Sequence, residues 1–352
     1  MSNNIASQAE RESPIIVIGT ARSGTNLLAR ILNTHSRIRV SGPIHIMQTL
    51  ARLQPTYGDL SDDKQMRALI RDARLLAANH TVPWKKVPST EDVLAALPQR
   101  SVFGVMAALC ELDARAAGKV RWCDKSLGMI DHVDAVRSVY PGARFIWLVR
   151  DPRDVAASAR GSVFLPCHPE RTARLWQQQQ ERGMQLAEAL PGAVHLLRYE
   201  DLVGEPATTL ERLCAFLREH YEPGMLDYHS RDPEAQRYAE LSTSWTNLGK
   251  PLLANNTQKY MNKLTADDVA AVETICAPAM MYLGYPATQQ PVSSAQLASP
   301  GHRASVLAAS AMMRLKVEIV SARNDKSHWP RWRRTVLDHW ITLRQRLRGT
   351  RH

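Results

Sequence analysis

The chain has 352 residues, 44% hydrophobic and 22% charged, enough to bury a sizeable core and too apolar to be disordered throughout. Its five cysteines, at 110, 123, 167, 214 and 276, are odd in number and never spaced as CxxC, which argues against a disulfide framework and a zinc site and fits a reducing cytoplasm. The net charge of +11 is concentrated at one end, since residues 301–352 carry 12 Arg and Lys against 3 Asp and Glu; the basic surplus belongs to a tail, not to the body.

Residues 1–13, MSNNIASQAERES, hold no apolar run and read as a disordered N-terminus without a secretory signal. No segment approaches the roughly 18 apolar residues needed to span a bilayer. PIIVIG (14–19) reads as a short buried strand, followed by a glycine-containing turn and a helix with Leu27, Leu28, Ile31 and Leu32 on one face. SVFGV (101–105), VRWCD (120–124), ARFIWLV (143–149) and VHLLRY (194–199) read as further strands, with helix-like stretches between them. Strands alternating with helices predict an α/β fold whose central parallel sheet is covered on both faces. Ligands of such sheets bind beyond the carboxyl ends of the strands. After YEDL comes a helix with Leu210, Leu213, Phe216 and Leu217 on one face, then a less regular stretch over 223–262. A closing helix follows, N-capped by Thr265 and stopped by Gly284. Residues 287–300, rich in Gln, Ser and Pro, read as a linker. The expected organisation is a domain over 14–286, the linker, and a helical extension over 301–352.

Two segments carry chemistry. In VIGTARSGTNLL (17–28), Gly19 and Gly24 have the spacing of a phosphate-binding loop, and the following helix N-terminus suits an anion. Thr25 and Asn26 stand where a Walker A loop has lysine and a magnesium-binding hydroxyl, which disfavours a magnesium nucleoside triphosphate. Arg22 brings a guanidinium into the loop instead, and Ser23, Thr25 and Asn26 add neutral donors for a phosphate held without metal. In FIWLVRDPRDVAASAR, Arg150 emerges from a strand end, Asp151-Pro152 starts a helix, and Ser158 follows two turns on. An arginine and a serine so placed can grip one phosphate from two sides. Taken singly, either segment also fits a plain strand-to-helix turn or a surface arginine paired with Asp151 or Asp154.

Together the two segments resemble the sulfotransferases that use 3′-phosphoadenosine 5′-phosphosulfate (PAPS), over about 14–286. The resemblance implies a P-loop-like three-layer fold with a central parallel sheet. It assigns Arg22, Ser23, Gly24, Thr25 and Asn26 to the 5′-phosphosulfate, and Arg150 and Ser158 to the 3′-phosphate. It also implies a donor without a γ-phosphate, PAP as product and no metal. WCDKSLGM and KPLLANNTQKY resemble the branch containing protein-tyrosine sulfotransferases and bacterial relatives. In that branch Lys125 would lie by the transferring sulfuryl group, where a cation neutralises the leaving oxygen, and Lys259 and Tyr260 would close over the nucleotide. Trp176 and YEDL (199–202) also recur in the family, where the resemblance implies structural roles, the tryptophan packing and the acidic pair Glu200-Asp201 positioning nearby loops.

Sulfuryl transfer to a hydroxyl needs a base within hydrogen-bond reach of the acceptor. The related enzymes often supply a glutamate shortly after the first helix, but no Glu or Asp occurs here between Arg22 and Asp59. His45 is the conventional base in that stretch. The rival functions are a P-loop kinase or hydrolase, and a PAP-binding protein without catalysis. The acceptor class, whether carbohydrate, lipid, peptide tyrosine or small metabolite, is not written in these motifs.

In the tail, Trp332, Val336, Trp340, Leu343 and Leu347 recur at helical spacing among arginines. Such a helix suits an anionic membrane surface, which would make the protein cytoplasmic and peripheral at the inner membrane. The alternatives are docking on the protein's own body or on a second copy in a homodimer. No nucleic-acid partner is expected, because no recognised binding module accompanies the charge.

Overall fold

The computed structural model describes residues 12–254 and 256–349. Most of the N-terminal segment expected to be disordered lies outside the described residues, as does the end of the tail. Ser13, placed in that segment, is buried, and its carbonyl accepts from Arg121 Nε at 2.5 Å.

Five parallel strands, β1 (Ile15–Gly19), β2 (Ile38–Val40), β3 (Arg121–Asp124), β4 (Arg144–Val149) and β5 (Val194–Arg198), form one sheet in the order β2-β3-β1-β4-β5. The principal helices of the body are α1 (Thr25–Thr34), α2 (Asp63–Ala78), α3 (Val102–Ala116), α4 (Pro152–Arg160), α5 (Pro169–Ala189), α6 (Pro206–Leu217) and α7 (Ala266–Leu283). The period of two along β1 divides the core. Ile16 and Ile18 join an apolar cluster with side chains of α2, α3, α5 and α7, whereas Ile15 and Val17 join one with α1 and α6. Burial on both faces is why this strand reads as an uninterrupted apolar run. After β1 the chain crosses to the β2 edge, and after β3 it crosses to the other. The switch point, where such sheets bind ligands, therefore lies at the carboxyl end of β1.

The segment 101–105, expected to be a strand, is instead the start of α3. Ser101 is its N-cap, the hydroxyl accepting from Gly104 N at 3.0 Å. A short apolar run does not distinguish a buried strand from a buried helix, and α3 is buried over most of its length. The edge strand β2 has three residues, one an arginine paired with Asp113 at 2.7 Å, too little for a periodic signal. The segment expected as a linker contains a short helix, Ser294–Ala298. Beyond it come α8 (Pro300–Asn324) and α9 (His328–Gly349), both packed on the body. Among the described residues, no helix is long and apolar enough to cross a membrane.

Candidate functional site

The loop after β1 is shaped by two close approaches. At Gly19 a Cβ would lie 2.3 Å from the carbonyl oxygen of Leu148, and at Gly24 it would lie 2.4 Å from the ring of Tyr199. Both backbones also have positive φ, 148° and 98°, the region where glycine carries no steric penalty. Gly24 is the N-cap of α1 and offers no side-chain cap. The first-turn N–H groups of α1 are thereby left for an anion, which the helix dipole favours. Ser23 is fully buried beneath this turn, and among the described residues its hydroxyl has no hydrogen-bond partner.

Arg150 follows the last residue of β4 and reaches across this loop. Its Nη1 donates to the carbonyl of Arg22 at 3.2 Å and its Nη2 to that of Asn256 at 2.9 Å, while Asp154 lies 3.5 Å away. The guanidinium stacks over Tyr199, 4.3 Å from the ring centroid, and its buried Nε has no partner among the described residues. Ser158 sits on α4, which Asp151 caps and Pro152 opens. Its hydroxyl accepts from Arg22 Nε at 3.1 Å, and Arg22 Nη2 donates to the carbonyl of Ser244 at 3.4 Å. Burial, with Arg150 close by, lowers the Arg22 guanidinium to about 10. Two cations held this near one another, with unsatisfied donors, make a site whose electrostatics improve when an anion enters.

These groups face one cavity of about 480 Å³, lined by Arg22, Gly24, Thr25, Asn26, Arg150, Ser158 and Lys259 among others. That volume lies within the range of small-molecule sites. Four of the sequence-predicted residues are placed differently: Ser23 is buried under the loop and does not line the cavity, and the other three lie farther off. Lys125, just past β3, lies behind the wall: its Nζ donates to Asn26 Oδ1 and sits 5.7 Å from the Tyr238 ring centroid. Burial, then Arg30, lowers its ammonium to about 7. His45 lies near Lys125 with its ring centroid 5.6 Å from that of His80. Burial, then Arg334 and Lys125, lowers its imidazole to about 3, so it is neutral. Tyr260 is buried away from the cavity, its amide donating to Asp154 Oδ1 at 3.0 Å and its ring under the Arg153 guanidinium at 4.6 Å. Its position holds Asp154, and through it Arg150, instead of lining the cavity.

The sequence model of the family described as "Sulfotransferase family" matches residues 14–223. The chain belongs to the sulfotransferase family. Among solved structures, the sulfotransferase domain from the curacin biosynthetic pathway is 18% identical. That match covers 78% of this chain and 99% of that domain at a TM-score of 0.53, a likeness of fold. The sulfotransferase domain of the Synechococcus PCC 7002 olefin synthase is 19% identical over 74% of this chain and 93% of that one, at a TM-score of 0.46. An uncharacterized protein of Aquifex aeolicus (strain VF5) is 23% identical over 228 residues, 61% of this chain and 27% of that protein. The chain thus spans about a quarter of the length of that curated relative.

Several further residues of this candidate site lie outside the segments assigned to the phosphates. Tyr199 supports Arg150, and its hydroxyl accepts from Asn256 Nδ2. The turn Thr243–Gly249 supplies a wall in which Trp245 stacks on Phe164 at 4.3 Å between centroids. Asp325, between α8 and α9, accepts from Ser242 Oγ (2.8 Å), Thr243 N (3.1 Å) and Thr243 Oγ1 (3.0 Å), pinning that turn. Behind the site, Trp176 Nε1 donates to the Arg150 carbonyl at 3.0 Å, and Glu200 accepts from Asp151 N at 2.9 Å and from the Tyr285 hydroxyl at 2.8 Å. Among the described residues, no three or more His, Cys, Asp or Glu side chains are grouped to hold a metal ion.

Proposed function

We propose that this sulfotransferase moves a sulfuryl group from PAPS to a hydroxyl of its acceptor in one in-line displacement that needs no metal. The observation that carries this reading is the convergence of a lysine-free glycine loop, Arg150 and Ser158 on one cavity, with Arg150 Nε buried and without a hydrogen-bond partner among the described residues. The loop amides, with Thr25 and Asn26, suit the 5′-phosphosulfate, and Arg150 with Ser158 suits the 3′-phosphate. Arg22, bonded to Ser158 and sharing the loop, bridges the two anion sites. Lys259, on the cavity wall, adds positive charge.

Transfer breaks the bond between sulfur and the bridging oxygen of PAPS and forms one to the acceptor oxygen, releasing PAP and a proton. Lys125 stands behind the loop with its Nζ donating to Asn26 Oδ1, so its positive charge bears on the leaving oxygen through the cavity-lining Asn26. His45, the base the sequence offers, lies near Lys125 outside the cavity lining. The burial and neighbouring cations that keep it neutral also oppose its taking the proton, so this role requires the acceptor hydroxyl to reach it. The acceptor is a hydroxyl on a carbohydrate, lipid, peptide tyrosine or small metabolite, and the compartment is the cytoplasm or its membrane face. The test is an acceptor screen with sulfur-labelled PAPS in EDTA, read by mass spectrometry. Label transferred to an acceptor with EDTA present supports the reading. Transfer that requires magnesium and ATP would replace it with a kinase. Tight PAP binding without transfer to any acceptor would replace it with a nucleotide-binding protein.

A further inference from the structure

The last helix is docked with its polarity reversed. A helix packed on its own domain ordinarily buries its apolar stripe and leaves its charges in water. α9 instead meets the body mainly through polar side chains. Arg334 donates to the carbonyls of Leu76 and Ile44, the latter at 2.8 Å. Thr49 Oγ1 donates to Asp338 at 3.3 Å, and Gln345 Nε2 donates to Asp72 at 2.8 Å. Ile341, fully buried, and Leu337, partly buried, add apolar contacts with the core on this side. The opposite side carries Trp332, Val336, Trp340 and Leu343, between 47% and 59% exposed, with Trp329 at 65%. On α8, Met312, Leu315 and Ile319 are exposed at the spacing of one helical face.

The charges complete the pattern. The three acidic residues of α8, α9 and their connection are all engaged: Glu318 by Arg331 and His328, Asp338 by Arg334, and Asp325 by the donors of Ser242, Thr243 and Ser327. Arg314, Lys316, Arg323, Lys326, Arg333 and Arg346 are exposed. Arg333 and Arg346 flank the apolar stripe, one turn before Val336 and one turn after Leu343.

We propose that this face lies in the interface of an anionic lipid bilayer, with α9 in the membrane plane and the domain attached to its water-facing side. Tryptophan suits the headgroup level, where one part of the ring is wet and the rest apolar. Arginines beside the stripe suit anionic headgroups. A second copy is the poorer occupant, because a two-fold contact through this face sets each cationic rim against its twin.

The test is cosedimentation of the full chain with vesicles of equimolar phosphatidylglycerol and phosphatidylcholine, and with phosphatidylcholine alone, alongside sizing by light scattering. The expected result is binding to the anionic vesicles that is about tenfold or more stronger than to the neutral ones and that weakens as salt rises. A Trp332→Ser, Trp340→Ser double variant changes exposed positions, so circular dichroism should show an intact fold while vesicle binding falls about tenfold or more. An Arg333→Glu, Arg346→Glu variant should lose the preference for anionic lipid. Absence of binding to anionic vesicles at low salt would overturn the proposal, as would binding undiminished in the tryptophan variant. A dimer in solution that this variant converts to monomer would assign the face to a second copy instead.

Discussion

Replacing Arg150 by methionine keeps an apolar stem over Tyr199 and removes the guanidinium. Two of its nitrogens are committed to the carbonyls of Arg22 and Asn256, at 3.2 and 2.9 Å, and Nε is buried without a partner among the described residues. If Nε and the positive charge serve the 3′-phosphate of PAP, the loss is that of a hydrogen bond to a charged group, about 1.5 to 3 kcal/mol. At about 1.4 kcal/mol per factor of ten, PAP affinity should fall roughly 10- to 150-fold. The structural contacts are lost too, so the comparison must separate the ligand from the fold. Adenosine 5′-phosphosulfate lacks the 3′-phosphate and feels only the lost structural contacts, so its affinity should fall at least about tenfold less than that of PAP. Calorimetric titration of both ligands into both proteins measures the difference. Equal losses for the two ligands would mean that Arg150 shapes the loop and does not read the 3′-phosphate.

Lys125 is cationic below its pKa of about 7 and neutral above it; kcat/KM, which reports the free enzyme, should therefore fall as pH rises through about 7, and Lys125→Arg should remove that limb. A profile unchanged by the substitution would dissociate Lys125 from the leaving oxygen. His45 is already neutral above a pKa of about 3, so it should contribute no acidic limb between about pH 5 and 8. His45→Gln should lower turnover about 100-fold or more with PAP affinity unchanged, whereas unaltered turnover would remove it as the base. Asp325→Ala frees the turn at Ser242–Thr243, and Ser244 in that turn accepts from Arg22. PAP affinity should drop by about threefold to tenfold, one hydrogen bond's worth, in calorimetry; an unchanged affinity would show that the turn holds itself.

The phosphate loop was legible because three local signals agree there: a buried apolar strand, glycines at fixed spacing and a helical apolar stripe. The start of α4 was legible for a like reason, since Asp151-Pro152 states its own cap. Residues 101–105 were not, because apolar runs in a buried strand and a buried helix look alike until Ser101 is seen capping. The tie between Arg22 and Ser158 spans 136 residues, and neither motif states that the two are in contact. Tyr260 stood next to a cavity-lining lysine in sequence but points to Asp154 and Arg153 in space, because the turn at Gln258 has a left-handed backbone. The stripe on α9 could be read from its period. Which side of the helix the body takes could not, because that depends on acceptors such as the Ile44 carbonyl and Asp72 in distant segments.

The most direct measurement of the central claim is a calorimetric comparison of PAP, ADP and magnesium ATP binding to the purified chain, the first two in EDTA. A loop without a Walker lysine, joined to Arg150 and Ser158, predicts that PAP binds in EDTA and that ADP, without the 3′-phosphate, binds at least about tenfold more weakly. Magnesium ATP should be weaker than PAP as well. Binding of magnesium ATP in preference to PAP, or of PAP and ADP with equal affinity, would contradict the account.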